Sequence, residues 1–92
     1  MSSYVGMDLD KNADDVVHAI VSALKTQGNS VMMDDMGAFI KVKVPERLFL
    51  RRVDIEEELG REWSMDELHV CMASYFGFIK EWDEEHIEIS WG

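Results

Sequence analysis

The stretch FIKVKVPERLFLRRVDIEEELG, residues 39–60, contains both of the periodicities from which the fold can be predicted. In its first part isoleucine and valine alternate with lysine, and this period of two indicates a strand buried on one face. Pro45 ends that strand because it lacks the N–H that a strand ladder needs, and RLFLRR then resumes extended structure. The acid-rich DIEEELG predicts a short helix that is capped by Asp54 and ended by Gly60.

The preceding segments add a longer helix and a hairpin. NADDVVHAIVSALKTQG, residues 12–28, has apolar residues at helical spacing and predicts a helix with Asn12 as N-cap and Gly28 as terminator. SVMM and AFIKVKV lie on either side of DDMG, so we expect two strands joined by a turn near residues 34–37.

The last third of the chain predicts another short helix and a closing hairpin. Ser64 and Glu67 have the spacing of a capping box, which places a helix directly after Ser64. VCMASYFGFIKEW is typical of strand, with Gly77 at a bulge or a close backbone approach, and in IEISW, residues 87–91, apolar and polar residues alternate. Helices and strands in this uneven order predict an α+β fold: one small domain over residues 1–92, with helices on one face of a mainly antiparallel sheet.

Composition and charge exclude several classes of function. With 47% hydrophobic residues in 92, the chain can fold around one modest core. Nineteen acids against nine bases give a formal charge of −10, which repels phosphate backbones and anionic lipid. No apolar run approaches the roughly 20 residues that span a bilayer, so nucleic acid and membranes are poor partners. The lone Cys71 and a start without signal-peptide features predict a reducing cytoplasm.

Each of the three histidines follows an aspartate by three residues, a spacing that could support a metal site or acid–base chemistry. The pairs are Asp15 with His18, Asp66 with His69, and Asp83 with His86. The first two pairs fall near predicted helix starts, where an aspartate stabilises the helix dipole. The third falls in a turn between strands, where solvated acids are common. We therefore expect no metal site, and an enzymatic function would require the Asp83 to His86 cluster to be organised and partly buried.

Other catalytic and cofactor-binding patterns are missing from the sequence. Cys71 lies in an apolar run, where a buried and inert thiol is the usual state. Ser74 and Ser90 have no evident base beside them, and neither G-x-G-x-x-G nor G-x-x-x-x-G-K-[ST] occurs. We predict no catalytic residue and no cofactor.

Two groups of residues are candidates for contact with a protein partner. Methionine is adaptable and over-used at binding surfaces, which singles out the predicted hairpin with its intervening aspartates. Its residues are Met32, Met33, Asp34, Asp35 and Met36. Arg51 and Arg52 are adjacent in a strand-like run and should point to opposite faces, so one of them is expected to reach a contact. Core packing of a methionine and an ordinary surface charge are the alternatives.

The block from Val44 to Leu68, in which RLFLRR is followed by IEEELG, resembles the small effector or coupling proteins of bacterial multicomponent monooxygenases. It is most similar to the regulatory component of phenol hydroxylase, and the resemblance extends from YVGMDL to Trp91. It implies a cofactor-free α+β protein that binds the di-iron hydroxylase of its system and changes the conformation of the hydroxylase active site. It further implies that the protein couples the use of NADH and oxygen to hydroxylation of an aromatic substrate. The residues alone leave open a small acidic ligand-sensing domain, or a protein-interaction domain without a hydroxylase partner.

Overall fold

Helices and strands alternate along the chain as the sequence predicts. The computed structural model describes residues 4–91. Its elements are β1 (Tyr4–Asp10), α1 (Asp14–Thr26), β2 (Met32–Asp35), β3 (Phe39–Pro45), β4 (Arg47–Arg51), α2 (Arg52–Leu59), α3 (Met65–Cys71), β5 (Met72–Phe76), β6 (Phe78–Trp82) and β7 (His86–Ser90). All strand pairs in this part of the chain are antiparallel, and the predicted α+β class is confirmed.

The strands divide between two sheets, where the sequence suggested one. A four-stranded sheet has the order β2-β3-β1-β5, and a three-stranded sheet has the order β4-β7-β6. The chain passes between the sheets three times. Two of the passages are corners of one residue, Glu46 after β3 and Gly77 after β5, and the third runs through α2 and α3. Both corner residues have positive φ, 66° and 113°, which turns the chain sharply enough to leave one sheet and enter the other.

The core lies between the inward faces of the two sheets and the apolar faces of the helices. Alternate residues of β1, β3, β4 and β7 are buried, as the period of two predicts, and α1 contributes its apolar stripe. The fully buried residues of largest volume are Met7, Leu9, Ile20, Leu24, Leu48, Leu50, Ile55, Leu68, Ile87, Ile89, Val5 and Val17. The other face of the four-stranded sheet carries charged and aromatic side chains from β1 and β3.

Two predicted helix caps are wrong. α1 begins at Asp14 with Ala13 as its N-cap and no side-chain cap, while the backbone N–H of Asn12 donates to the Asp10 carboxylate at 2.9 Å. Asn12 therefore belongs to the turn before the helix. Asp54 lies inside the first turn of α2 because β4 runs directly into that helix, and its carboxylate binds the Arg51 side chain.

The other predicted helix ends are confirmed. Gly60 adopts a left-handed backbone with φ 72°, and its N–H donates to the carbonyl oxygen of Glu56 at 2.8 Å. Gly28, just beyond α1, has φ 94°. Ser64 and Glu67 form both hydrogen bonds of a capping box at the start of α3.

Both predicted hairpins are present, with shifted boundaries. Asp34 and Asp35 lie in β2, so the first turn comprises residues 36–38. Val70 and Cys71, expected in a strand, are the last residues of α3, because the helix that starts at the capping box buries residues at a spacing of three. The second hairpin joins β6 and β7 through residues 83–85.

Candidate partner-binding surface

The acidic turn before β7 brings three possible metal ligands together. Donor atoms of Glu81, Asp83 and His86 lie within 4.8 Å of one another. Asp83 Oδ1, however, accepts the backbone N–H groups of Glu85 and His86 at 2.8 and 2.9 Å, and these hydrogen bonds lower the pKa of Asp83. Both carboxylates of the cluster are exposed. The closing of the turn accounts for this geometry without a bound cation.

The other two aspartate–histidine spacings do not form pairs. His18 Nε2 lies 3.2 Å from Asp14, whereas Asp15 lies 3.4 Å from Arg61 NH2. His69 stacks on the Trp82 ring, with centroids 4.0 Å apart and planes 7° from parallel. The repeated spacing in the sequence therefore defines no common site.

Cys71 is buried, as predicted, with 6% of its surface exposed. Burial raises the pKa of its thiol to about 11, so the protonated and weakly nucleophilic form dominates at neutral pH. This environment is opposite to that of a nucleophilic cysteine.

A cleft of about 520 Å³ lies between α3 and the acidic turn. Trp63, His69 and Trp82 line it together with the carboxylates of the turn. It is thus an open cleft on the surface, whereas a ligand-sensing domain would hold its ligand between sheet and helices.

The methionines of the first hairpin lie on the surface. Met32, Met33 and Met36 are 42%, 44% and 57% exposed, which excludes the core-packing alternative. β2 is the edge strand of its sheet, and all four of its residues are exposed. The hairpin therefore exposes adaptable apolar side chains of the kind that is common at binding surfaces.

The aspartates of this hairpin bind lysines within the chain. Asp35 accepts a hydrogen bond from Lys11 Nζ at 2.7 Å, and this bond lowers the pKa of Asp35. Asp34 lies 3.7 Å from Lys43 Nζ across the strand pair. Their charges are thus partly compensated before any partner binds.

The two arginines differ from the expected arrangement. Arg51 ends β4 and Arg52 begins α2, so the alternation of a strand does not relate them, and that part of the prediction is wrong. Arg51 makes two hydrogen bonds to Asp54, both 3.0 Å long, and half of its side chain remains exposed. Arg52 connects α2 to the acidic turn, with Glu56 at 2.6 Å and Glu85 at 3.1 Å.

A pair of exposed aromatic side chains was missed by the sequence analysis. Phe78 and Trp91 are 56% and 44% exposed and meet edge to face, with centroids 5.5 Å apart. The exposure of Phe78 could have been predicted from the alternation in β6, where Phe78 and Lys80 lie on either side of the inward-facing Ile79. Trp91 continued the pattern of the buried isoleucines, but β7 ends at Ser90 and leaves Trp91 outside the core.

These features define a class of protein. The residues that the structure describes combine a well-packed α+β core with exposed methionine and aromatic side chains, and their nucleophiles and bases form no catalytic constellation. Exposed apolar side chains on a folded domain are typical of a surface that binds another protein.

Comparison with known proteins gives the family. The pattern of the MmoB/DmpM family matches residues 3–90, and the chain belongs to this family. It is 28% identical over 88 residues to the stimulatory component DmpM of phenol 2-monooxygenase from Pseudomonas sp. (strain CF600), covering 96% of this chain and 92% of that protein. The resemblance stated from the sequence is thereby confirmed.

Solved structures show the same fold. Two structures of a phenol hydroxylase–regulatory protein complex contain chains that superpose on this one with TM-scores of 0.78 and 0.74. These chains are 23% and 22% identical to it, and the matches cover 98% and 97% of this chain and the whole of each of theirs. Among residues 4–91, no helix is long and apolar enough to cross a membrane.

Proposed function

We propose that this chain is the non-catalytic regulatory component of a multicomponent monooxygenase acting on phenol or a related aromatic compound. The observation that carries the proposal is the match to the family over nearly the whole chain, with a stimulatory component of phenol 2-monooxygenase among its relatives. The partner is the di-iron hydroxylase component of the same system, which holds the metal and performs the chemistry. The free and buried thiol of Cys71 agrees with a place in the cytoplasm.

Binding is proposed to act on the hydroxylase through its conformation. A regulatory component that binds one conformation more tightly shifts the hydroxylase toward that conformation. If the favoured conformation uses reductant and oxygen only when substrate is in place, more product forms for each NADH consumed. This chain need then contribute only a contact surface.

The residues proposed for that contact are those of the first hairpin together with Arg51. Met32, Met33 and Met36 supply apolar contact, while Asp34 and Asp35 supply charge beside them. Arg52 is a weaker candidate because two carboxylates of this chain already hold it.

A reconstituted assay tests the proposal. The hydroxylase and reductase of the same system are mixed with NADH and phenol, with and without this chain, and product and NADH consumption are both measured. We expect no oxygenase activity from the chain alone and a higher ratio of product to NADH when it is added. An unrelated acidic protein of similar size is the control. The proposal fails if the chain neither binds the hydroxylase nor changes its turnover or coupling.

A further inference from the structure

A continuous strip of exposed and half-buried side chains crosses the molecule from the edge of one sheet to the other sheet. We call it the aromatic strip; it comprises Met32, Lys43, Tyr4, Trp91, Phe78 and Lys80. Met32 is the cross-strand partner of Lys43, whose Nζ lies 5.5 Å from the centre of the Tyr4 ring. The strip therefore starts in the methionine hairpin and continues beyond it.

The second half of the strip joins the two sheets. Trp91 Nε1 donates a hydrogen bond of 2.7 Å to the carbonyl oxygen of Tyr4, and the indole ring lies nearly perpendicular to the Phe78 ring. Lys80 Nζ lies 5.6 Å from the centre of the Phe78 ring. The tryptophan thus has a fixed orientation before binding, and a rigid aromatic side chain loses little entropy when a partner covers it.

The charge of the strip indicates what covers it. Seven of the nine lysines and arginines have a described carboxylate within 4.0 Å, and Lys25 and Lys80 do not. Lys80 lacks such a partner in a chain with 19 acids, and it lies over an exposed ring. A surface that presents a carboxylate beside apolar side chains would complement both features.

A second copy of this chain fits the strip poorly. Each copy carries a formal charge of −10, so association is opposed by long-range repulsion. A two-fold contact through the strip would also place the same patch, with its lysines, against itself. The occupant must therefore be a different protein.

We propose that the aromatic strip is the surface that docks on the hydroxylase, with Phe78 and Trp91 as its apolar anchors and Lys80 facing a hydroxylase carboxylate. This inference rests on the proposed function and extends it from the methionine hairpin to residues of both sheets. Tryptophan and other aromatic side chains at the centre of an interface commonly carry much of its binding energy.

Two variants in the strip and two matched controls test the proposal. Phe78→Ala removes an anchor, and Val70→Ala shortens an apolar side chain on α3 that is 86% exposed. Lys80→Glu reverses a charge in the strip, and Lys25→Glu reverses the other lysine without a described carboxylate partner, at the end of α1. Circular dichroism and urea unfolding establish that each variant folds. Binding of fluorescently labelled chain to purified hydroxylase is then measured by anisotropy at low and high salt.

We expect Phe78→Ala and Lys80→Glu each to raise Kd at least tenfold, while both controls stay within twofold of wild type. Lys80→Glu should also reduce the salt dependence of Kd. If wild type binds and the strip variants bind equally well, the strip assignment is wrong and the proposed function stands. A tenfold loss in Val70→Ala alone would place the interface on α3 and overturn the strip. If wild type does not bind at all, the proposed function fails and the strip assignment fails with it.

Analytical sedimentation of the free chain tests whether a second copy of the chain covers the aromatic strip. We expect a monomer for wild type and for Phe78→Ala. A wild-type dimer that Phe78→Ala dissociates would show that a second copy covers the strip and would overturn the proposal.

Discussion

Gly77 lies so close to Ile89 that a Cβ atom on the glycine would come within 2.7 Å of Ile89 Cγ2. The same atom would come within 2.8 Å of Val5 Cγ1. Val5 belongs to the four-stranded sheet and Ile89 to the three-stranded sheet, so the missing side chain lets the corner between the sheets close onto the core.

Gly77→Ala should therefore be strongly destabilising. The φ of 113° is a backbone conformation that alanine rarely adopts, and the added methyl group would overlap side chains from both sheets. Strain and overpacking together predict a loss of about 2–4 kcal/mol in the free energy of unfolding. Urea unfolding measures it, and a loss below about 0.5 kcal/mol would mean that the corner can relax.

Gly60→Ala isolates the backbone effect. Gly60 has φ 72°, and apart from the glycine and its neighbours along the chain no described residue comes within 4 Å of the position where its Cβ would be. The left-handed conformation alone should therefore lower the free energy of unfolding by about 1 kcal/mol. Glu58→Ala, an exposed change in the same helix, is the control for helix propensity. Equal urea midpoints for Gly60→Ala and wild type would show that α2 can end without the left-handed residue.

Stability should fall in acid because three carboxyl groups have lowered pKa values in the folded chain. Hydrogen bonds from Lys11 to Asp35, from the Glu85 N–H to Asp83, and from Arg47 to Glu88 are the main causes. Since the unfolded chain binds protons more readily at these groups, the stabilisation is present above about pH 4 and is lost as the pH falls through the folded pKa values. We expect a lower urea midpoint at pH 3 than at pH 7.

A matched pair of variants tests the origin of this acid sensitivity. Asp83→Asn removes one of the three titrating groups, and its amide oxygen can still accept the two backbone N–H bonds of the turn. It should show a smaller difference between the two pH values than wild type. Glu57→Gln changes an exposed carboxylate that accepts no hydrogen bond from residues 4–91 and should behave as wild type. If the urea midpoint falls equally between pH 7 and pH 3 in all three proteins, Asp83 does not contribute to the acid sensitivity.

Local patterns predicted most of the elements, because the signals concerned are local. The alternation before Pro45, the capping box at Ser64 and the terminating Gly60 each depend on backbone chemistry within a few residues. The division into two sheets was not predicted. It depends on single-residue corners at Glu46 and Gly77, and nothing in a strand's own pattern states which sheet it joins.

The candidate contact residues also show that local patterns do not predict contacts between distant parts of the chain. Met32 and Met33 are exposed on an edge strand and Met36 in the turn after it, whereas the aromatic strip brings together residues such as Tyr4 and Trp91, which are 87 positions apart. A pattern along the chain contains no information about such a contact. The prediction that Arg51 and Arg52 point to opposite faces of one strand was wrong for a related reason, because β4 ends between them.

The arginines lead to the last prediction, which separates a role in the fold from a role in binding. Arg52→Ala should lower the urea midpoint, because it leaves Glu56 and Glu85 without their shared cation at the junction of α2 and the acidic turn. Arg51→Ala should change the midpoint little, because its pair with Asp54 is largely solvated and such pairs contribute weakly to stability.

In the reconstituted assay the variant with the larger effect should be Arg51→Ala instead of Arg52→Ala. Arg51 projects from the same outward face of the three-stranded sheet as Phe78, at the other end of β7. A hydroxylase surface that covers this face along its length would therefore contact both residues. Arg51→Ala should then raise the concentration of chain needed for half-maximal stimulation, whereas folded Arg52→Ala should stimulate like wild type. Titration of steady-state turnover with each variant, alongside circular dichroism, measures this. Two variants that both stimulate like wild type would exclude an arginine contact. Weaker stimulation by folded Arg52→Ala alone would assign the contact to Arg52, and the ion pairs that hold it would then have to open when the hydroxylase binds.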